Sequence, residues 1–134
     1  LRSTSLNPKP IEVITYFHIQ TPIKPCPRPR VGGKSKNTFL PKHGEKALEL
    51  EIAARLLENN LTPRGTRYNA ICVMFASGRG DIDNRLKTLM DALANVTGQN
   101  DCAIKFVKCL ISSDSPTSFV SLGWYKQGEE NEIN

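Results

Sequence analysis

Apolar positions recur along this chain with two different periods, and the switches between them mark its elements. Residues 11–20, Ile-Glu-Val-Ile-Thr-Tyr-Phe-His-Ile-Gln, are rich in β-branched and aromatic side chains. The pattern predicts a strand with Ile11, Val13, Thr15, Phe17 and Ile19 on one face, ended by Pro22. Over 44–59 the period lengthens. Ala47, Leu50, Ala54 and Leu57, continued by Leu61, form a helical stripe, with Glu45, Glu49 and Arg55 off it. Asn59 and Asn60 suit the end of such a helix. Residues 69–76, Asn-Ala-Ile-Cys-Val-Met-Phe-Ala, are almost continuously apolar, which predicts a central strand covered on both faces.

After the flexible turn Ser77-Gly78-Arg79-Gly80, Leu86, Leu89, Met90, Leu93 and Val96 return to helical spacing. They predict a second helix from about Ile82 to Val96, with Asp81 or Asp83 supplying an N-cap side chain and Gly98 the exit. Residues 103–112 and 118–125 read as two further strands, split by a polar turn over 112–117; Val120, Leu122 and Trp124 share a face of the last. The order β-α-β-α-β-β implies an α/β fold: one small mixed sheet of about four strands with two helices packed on it. A chain of 134 residues is a single domain by length, and it shows no internal repeat. The domain is expected over 11–126, between a loose N-terminus (1–10) and a disordered acidic tail (127–134).

Composition changes this picture in one place. Residues 21–46 carry five of the nine prolines together with Gly32, Gly33 and Gly44. They also carry Lys24, Arg28, Arg30, Lys34, Lys36, Lys42 and Lys46 against a single acid, Glu45. Such a segment has no apolar face to bury, and its prolines block a regular ladder. It reads either as a solvated loop or as an extended arm that contacts phosphates. The net charge of +5 is modest, so this clustering matters more than the total. Cys26, Cys72, Cys102 and Cys109 include no Cys-x2-Cys pair and no matching histidine register, which argues against zinc. Cys72 and Cys109 fall in apolar runs as buried free thiols would. No signal peptide or membrane span is visible, so a cytoplasmic protein without a membrane partner is expected.

The candidate chemistry lies at the start of the second helix. At 100° per residue, Asp83, Asn84, Lys87 and Asp91 fall within an arc of roughly 100°, apart from the apolar stripe. Capping and an i,i+4 ion pair account for single members of that set. They do not account for Asp81 beside Asp83, since a cap needs one acid and two repel unless a cation lies between them.

The string Asp81-Ile-Asp83-Asn84-x-x-Lys87-x-x-x-Asp91-Ala92-Leu93 resembles the hallmark of the RusA family of Holliday-junction resolvases. Pro27-Arg28-Pro29-Arg30-Val31, with Phe39-x-Pro41-Lys42, resembles that family's basic arm, and Asn100-Asp101-Cys102-Ala103-Ile104 its Asp-Asp-x-x-Ile segment. The resemblance spans roughly residues 11–112. It implies a homodimeric, Mg²⁺-dependent endonuclease that nicks four-way DNA junctions symmetrically. It implies that Asp81, Asp83 and Asp101 bind the metal and that Lys87 joins them in catalysis. Asn84 and Asp91 would support them, and Lys24, Arg28, Arg30, Lys34, Lys36, Lys42 and Arg79 would contact DNA. Asn100 stands where the family usually has an acid; a slip of one residue would put Cys102, not Asp101, at the third metal position. Two other readings are a DNA-binding protein of this fold without catalysis and a metal-dependent phosphohydrolase of small substrates; the basic arm speaks against the latter.

Overall fold

The computed structural model describes residues 12–25, 45–78 and 80–126. Strands β1 (Glu12–Ile19), β2 (Ala70–Phe75), β3 (Phe106–Ile111) and β4 (Ser118–Trp124) form one mixed sheet in the order β1-β4-β2-β3. β4 runs antiparallel to both β1 and β2, whereas β2 and β3 are parallel. Helix α1 (Glu45–Glu58) follows β1, and α2 (Ile82–Thr97) connects β2 to β3. The small α/β fold expected from the hydrophobic pattern is therefore present, with β2 inside the sheet. The segments 1–11, 26–44 and 127–134 lie outside the described residues, as does Arg79.

The core lies between one sheet face and the two helices. Phe17, Ile19, Ile71, Val73, Phe75, Val120 and Leu122 meet Leu48, Ile52 and Leu56 of α1 and Leu89, Ala92 and Leu93 of α2. On the opposite face the described residues leave Tyr16 and Leu110 exposed and Cys72, Met74 and Phe119 half-buried. β2 is thus central in the sheet but not enclosed on both sides. The continuous apolar run arises because its second face stays apolar where it is only half covered. Cys72 and Cys109 are half-buried free thiols, and burial raises both thiols above their ordinary pKa.

Two expected faces differ from the observed ones. The predicted stripe of α1 is the outer face: Leu50 is 66% and Leu57 61% exposed, while Leu48, Ile52 and Leu56 are buried. The two sets lie on opposite sides of the helix, and packing selects the one with three large aliphatic side chains rather than the one diluted by Ala47 and Ala54. In β1 the register shifts between Val13 and Thr15. This bulge breaks the alternation, so Val13 is 52% exposed and Ile14 packs against the core instead. Trp124, at the end of β4, is also exposed. The predicted third strand starts later than expected, because residues 101–103 form a 3-10 turn instead. The side chain of Asn100 caps that turn by accepting from the Cys102 backbone N–H at 3.0 Å.

Candidate functional site

One end of the sheet collects the polar chemistry. There β2 runs out at Phe75 and leads through Gly78 and Gly80 into α2. The exits of β1 and β3 and the entry of β4 lie beside it, tied by Ser77 N–H to Ser115 O (2.9 Å), Ser112 N–H to Phe75 O (2.9 Å) and Ala76 N–H to Ser118 Oγ (2.9 Å). Carboxyl ends of strands in open α/β sheets are where ligand sites form. Gly80 adopts φ +114°, and a Cβ there would run into the ring of Pro25. The turn therefore needs glycine both for its backbone angle and for close approach.

Asp81 occupies the N-cap position of α2, but its carboxylate makes no capping hydrogen bond. Asp83 does not cap in the usual sense either: one of its oxygens accepts from the Asn84 backbone N–H at 2.9 Å. The expectation that one of these acids is consumed in capping is thus not met, and both side chains are exposed. Lys87 Nζ lies 3.7 Å from the Asp91 carboxylate in an exposed i,i+4 pair. Such a pair contributes about 0.3–0.5 kcal/mol, too little to explain the arrangement by stability alone.

Asp101 is not part of this cluster. It precedes β3, which is parallel to β2, so it lies at the opposite end of the sheet from Asp81 and Asp83. The 16 residues of α2 separate them, a length of about 24 Å at 1.5 Å per residue. Its neighbourhood confirms the placement. Burial pushes the Tyr68 hydroxyl up to about 12, a hydrogen bond with Thr97 opposes the rise, and the Asp101 charge adds to it. Thr97 is the last residue of α2. Among the described residues no group of three or more His, Cys, Asp or Glu side chains is placed to hold a metal ion. Among the described residues, acids that do share an end of the sheet with Asp81 and Asp83 include Asp114, in the β3–β4 turn beside Ser112, and Glu51, which meets Gln20 and Thr21 just past β1.

Sequence reasoning missed the residues that organise this end from within. Arg85 lies on the flank of α2 between the acidic arc and the apolar stripe and is only 4% exposed. Its Nε donates to Ile23 O (3.1 Å) and its Nη2 to Ala76 O (2.8 Å). Its guanidinium carbon lies 4.9 Å from the centre of the Phe75 ring. One turn on, Thr88 Oγ1 donates to Lys24 O at 2.7 Å. From α1, the Glu51 carboxylate accepts from Gln20 N–H (2.7 Å), Thr21 N–H (2.8 Å) and the Thr21 hydroxyl (2.6 Å). Three side chains thus clamp residues 20–24, the root of the basic arm, beside the acids. The only hint in the sequence was a charge two residues past Asp83, at an angle the acidic arc excludes.

Of the expected DNA contacts, Lys24 is exposed at this end. Arg28, Arg30, Lys34, Lys36, Lys42 and Arg79 lie outside the described residues. No described helix is long and apolar enough to cross a membrane. Compared with family models, curated proteins and solved structures, the chain has no match.

Proposed function

We propose that the chain is a Mg²⁺-dependent endonuclease that resolves four-way DNA junctions by paired nicks. The observation that carries this reading is an exposed pair of carboxylates, Asp81 and Asp83, neither used as a helix cap, beside the clamped root of a basic arm. Mg²⁺ is commonly held by one or two carboxylates, with water and substrate phosphate completing its shell, so the pair fits this ion without a third acid from the same chain. When bound, the ion would supply a water of lowered pKa and screen charge on the phosphate.

The chain's own residues then divide the work. Asp81 and Asp83 hold the metal. Lys87, on the same arc of α2, offsets charge developing on the phosphate or on the leaving oxygen. Asn84 and Asp91 orient these groups. Lys24, Arg28, Arg30, Lys34, Lys36 and Lys42 neutralise DNA phosphates, and six such contacts give a slope of log affinity on log salt of about −5. Two symmetric nicks require two sites, hence a homodimer. Asp101, remote from Asp81 within one chain, takes part in the metal site only if it is contributed by the second copy.

The reading is tested with a synthetic four-way junction and Mg²⁺. Symmetric nicking by the wild type, with binding but no nicking by Asp83→Asn, is expected. Binding without nicking by both proteins would favour a non-catalytic junction binder. Asp101→Asn should abolish cleavage only if the second copy supplies that acid to the site, and Cys102→Ala should leave cleavage unchanged. Mixing Asp83→Asn with Asp101→Asn subunits should restore part of the activity if the acids act across the dimer.

A further inference from the structure

We propose that the cavity under the arm root is a built anion site, in which Arg85 receives a phosphate group of a nucleic-acid strand; the identity of the strand rests on the function proposed above. The cavity has a volume of about 270 Å³ and lies at the end of the sheet that carries Asp81 and Asp83. Arg85 forms part of its wall with Gln20, Thr21, Lys24, Ser77 and Gly78, and no acidic residue among those described lines it.

The guanidinium is held for a purpose its present contacts do not complete. Nε and Nη2 are fixed on two carbonyls, while Nη1 is buried without a hydrogen-bond partner among the described residues. An arginine stays charged under all ordinary conditions, so burial cannot be relieved by losing the proton. No carboxylate among the described residues pairs with it, and burial lowers its pKa. Glu51, the acid that clamps the arm root, is already engaged by three donors from Gln20 and Thr21. A buried, oriented cation with no carboxylate partner among the described residues, beside a cavity that no described acid lines, is complementary to a phosphate oxygen. Nη1 is covered in the free protein, so binding requires a local shift that exposes it.

The alternative is that Arg85 only braces residues 23 and 76. Protein with isotope-labelled arginine separates the two. Its Nε–H signals are followed by NMR during titration with inorganic phosphate and then with a short single-stranded oligonucleotide. A saturable shift of Arg85, with Arg55 unmoved because it is already paired with Glu58, is expected. An unmoved Arg85 in both titrations would overturn the proposal even if the protein cleaves junctions. A phosphate shift with no DNA binding would keep the anion site and overturn its nucleic-acid ligand together with the function above. A second readout uses junction affinity against salt. Arg85→Gln should weaken binding about tenfold and flatten the slope by about 1, as loss of one phosphate contact does. Thr88→Val, which loosens the same arm root without touching the guanidinium, should leave the slope unchanged. Equal losses in both variants with unchanged slopes would assign Arg85 a bracing role only.

Discussion

Helix α2 presents two polar surfaces of opposite character. One is the open arc of Asp83, Asn84, Lys87 and Asp91; the other is the enclosed flank of Arg85 and Thr88. On the open arc, charges meet water, and the contacts are short-range and weak: Asp83 to its neighbour's N–H, Lys87 to Asp91 across 3.7 Å. On the enclosed flank Arg85 Nε and Nη2 and the Thr88 hydroxyl are committed to backbone carbonyls of other segments, at Ile23, Ala76 and Lys24. The difference teaches that the open arc contributes little to holding the fold, and so is available for ligands. The enclosed flank holds the architecture that brings the arm to those ligands. Changes on the two surfaces should therefore separate activity from stability.

The largest expected effect is on activity. Asp81→Asn or Asp83→Asn should lower Mg²⁺-dependent cleavage by at least about 100-fold, since loss of outer-shell partners alone reaches that size. The melting temperature should stay within the error of a calorimetric scan, because neither side chain caps the helix. Next comes Arg85→Leu, which strands the carbonyls of Ile23 and Ala76 and should destabilise the fold by about 2–3 kcal/mol in denaturant titration. A neutral or stabilising outcome would break the contrast between the two surfaces. Thr88→Val removes one neutral hydrogen bond and should cost about 1 kcal/mol in the same assay.

The Glu51 clamp gives a pH dependence. Burial alone would raise its pKa, but the Gln20 and Thr21 donors, helped by the Arg55 charge, hold it below its ordinary value of 4.5. The charged form therefore favours the folded state. Its contribution is complete above pH 4.5 and is lost as the pH falls through the lower folded value. Stability measured from pH 7 downward should fall more steeply for the wild type than for Glu51→Gln in that acidic window. Smallest of all, Lys87→Ala should change stability by no more than about 0.5 kcal/mol while still reducing cleavage.

Much of this organisation is legible in the sequence because it depends on local periodicity. The order of elements, the position of β2 inside the sheet and the Gly98 exit from α2, at φ 77°, all follow from short-range pattern. What fails is whatever packing decides. α1 carries apolar residues on both sides, so its spacing alone could not choose Leu48, Ile52 and Leu56 over Leu50 and Leu57. The Val13 bulge inverts a face that strict alternation fixes the other way. At the site, Asp81 and Asp83 are close in the chain and were found together. The family resemblance joins Asp101 to them, although parallel pairing of β2 and β3 puts it at the far end of the sheet. Arg85 was invisible because its partners, Ile23 and Ala76, are backbone groups, the former 62 residues away along the chain.

The central claim, that Asp81 and Asp83 form a divalent-cation site at the mouth of α2, is tested most directly by titrating the protein with Mn²⁺ in place of Mg²⁺ and following backbone amide signals. Paramagnetic broadening centred on residues 80–84, reversed by excess Mg²⁺ and absent in Asp83→Asn, is the expected result. Broadening that is absent, or that persists unchanged in Asp83→Asn, would contradict it.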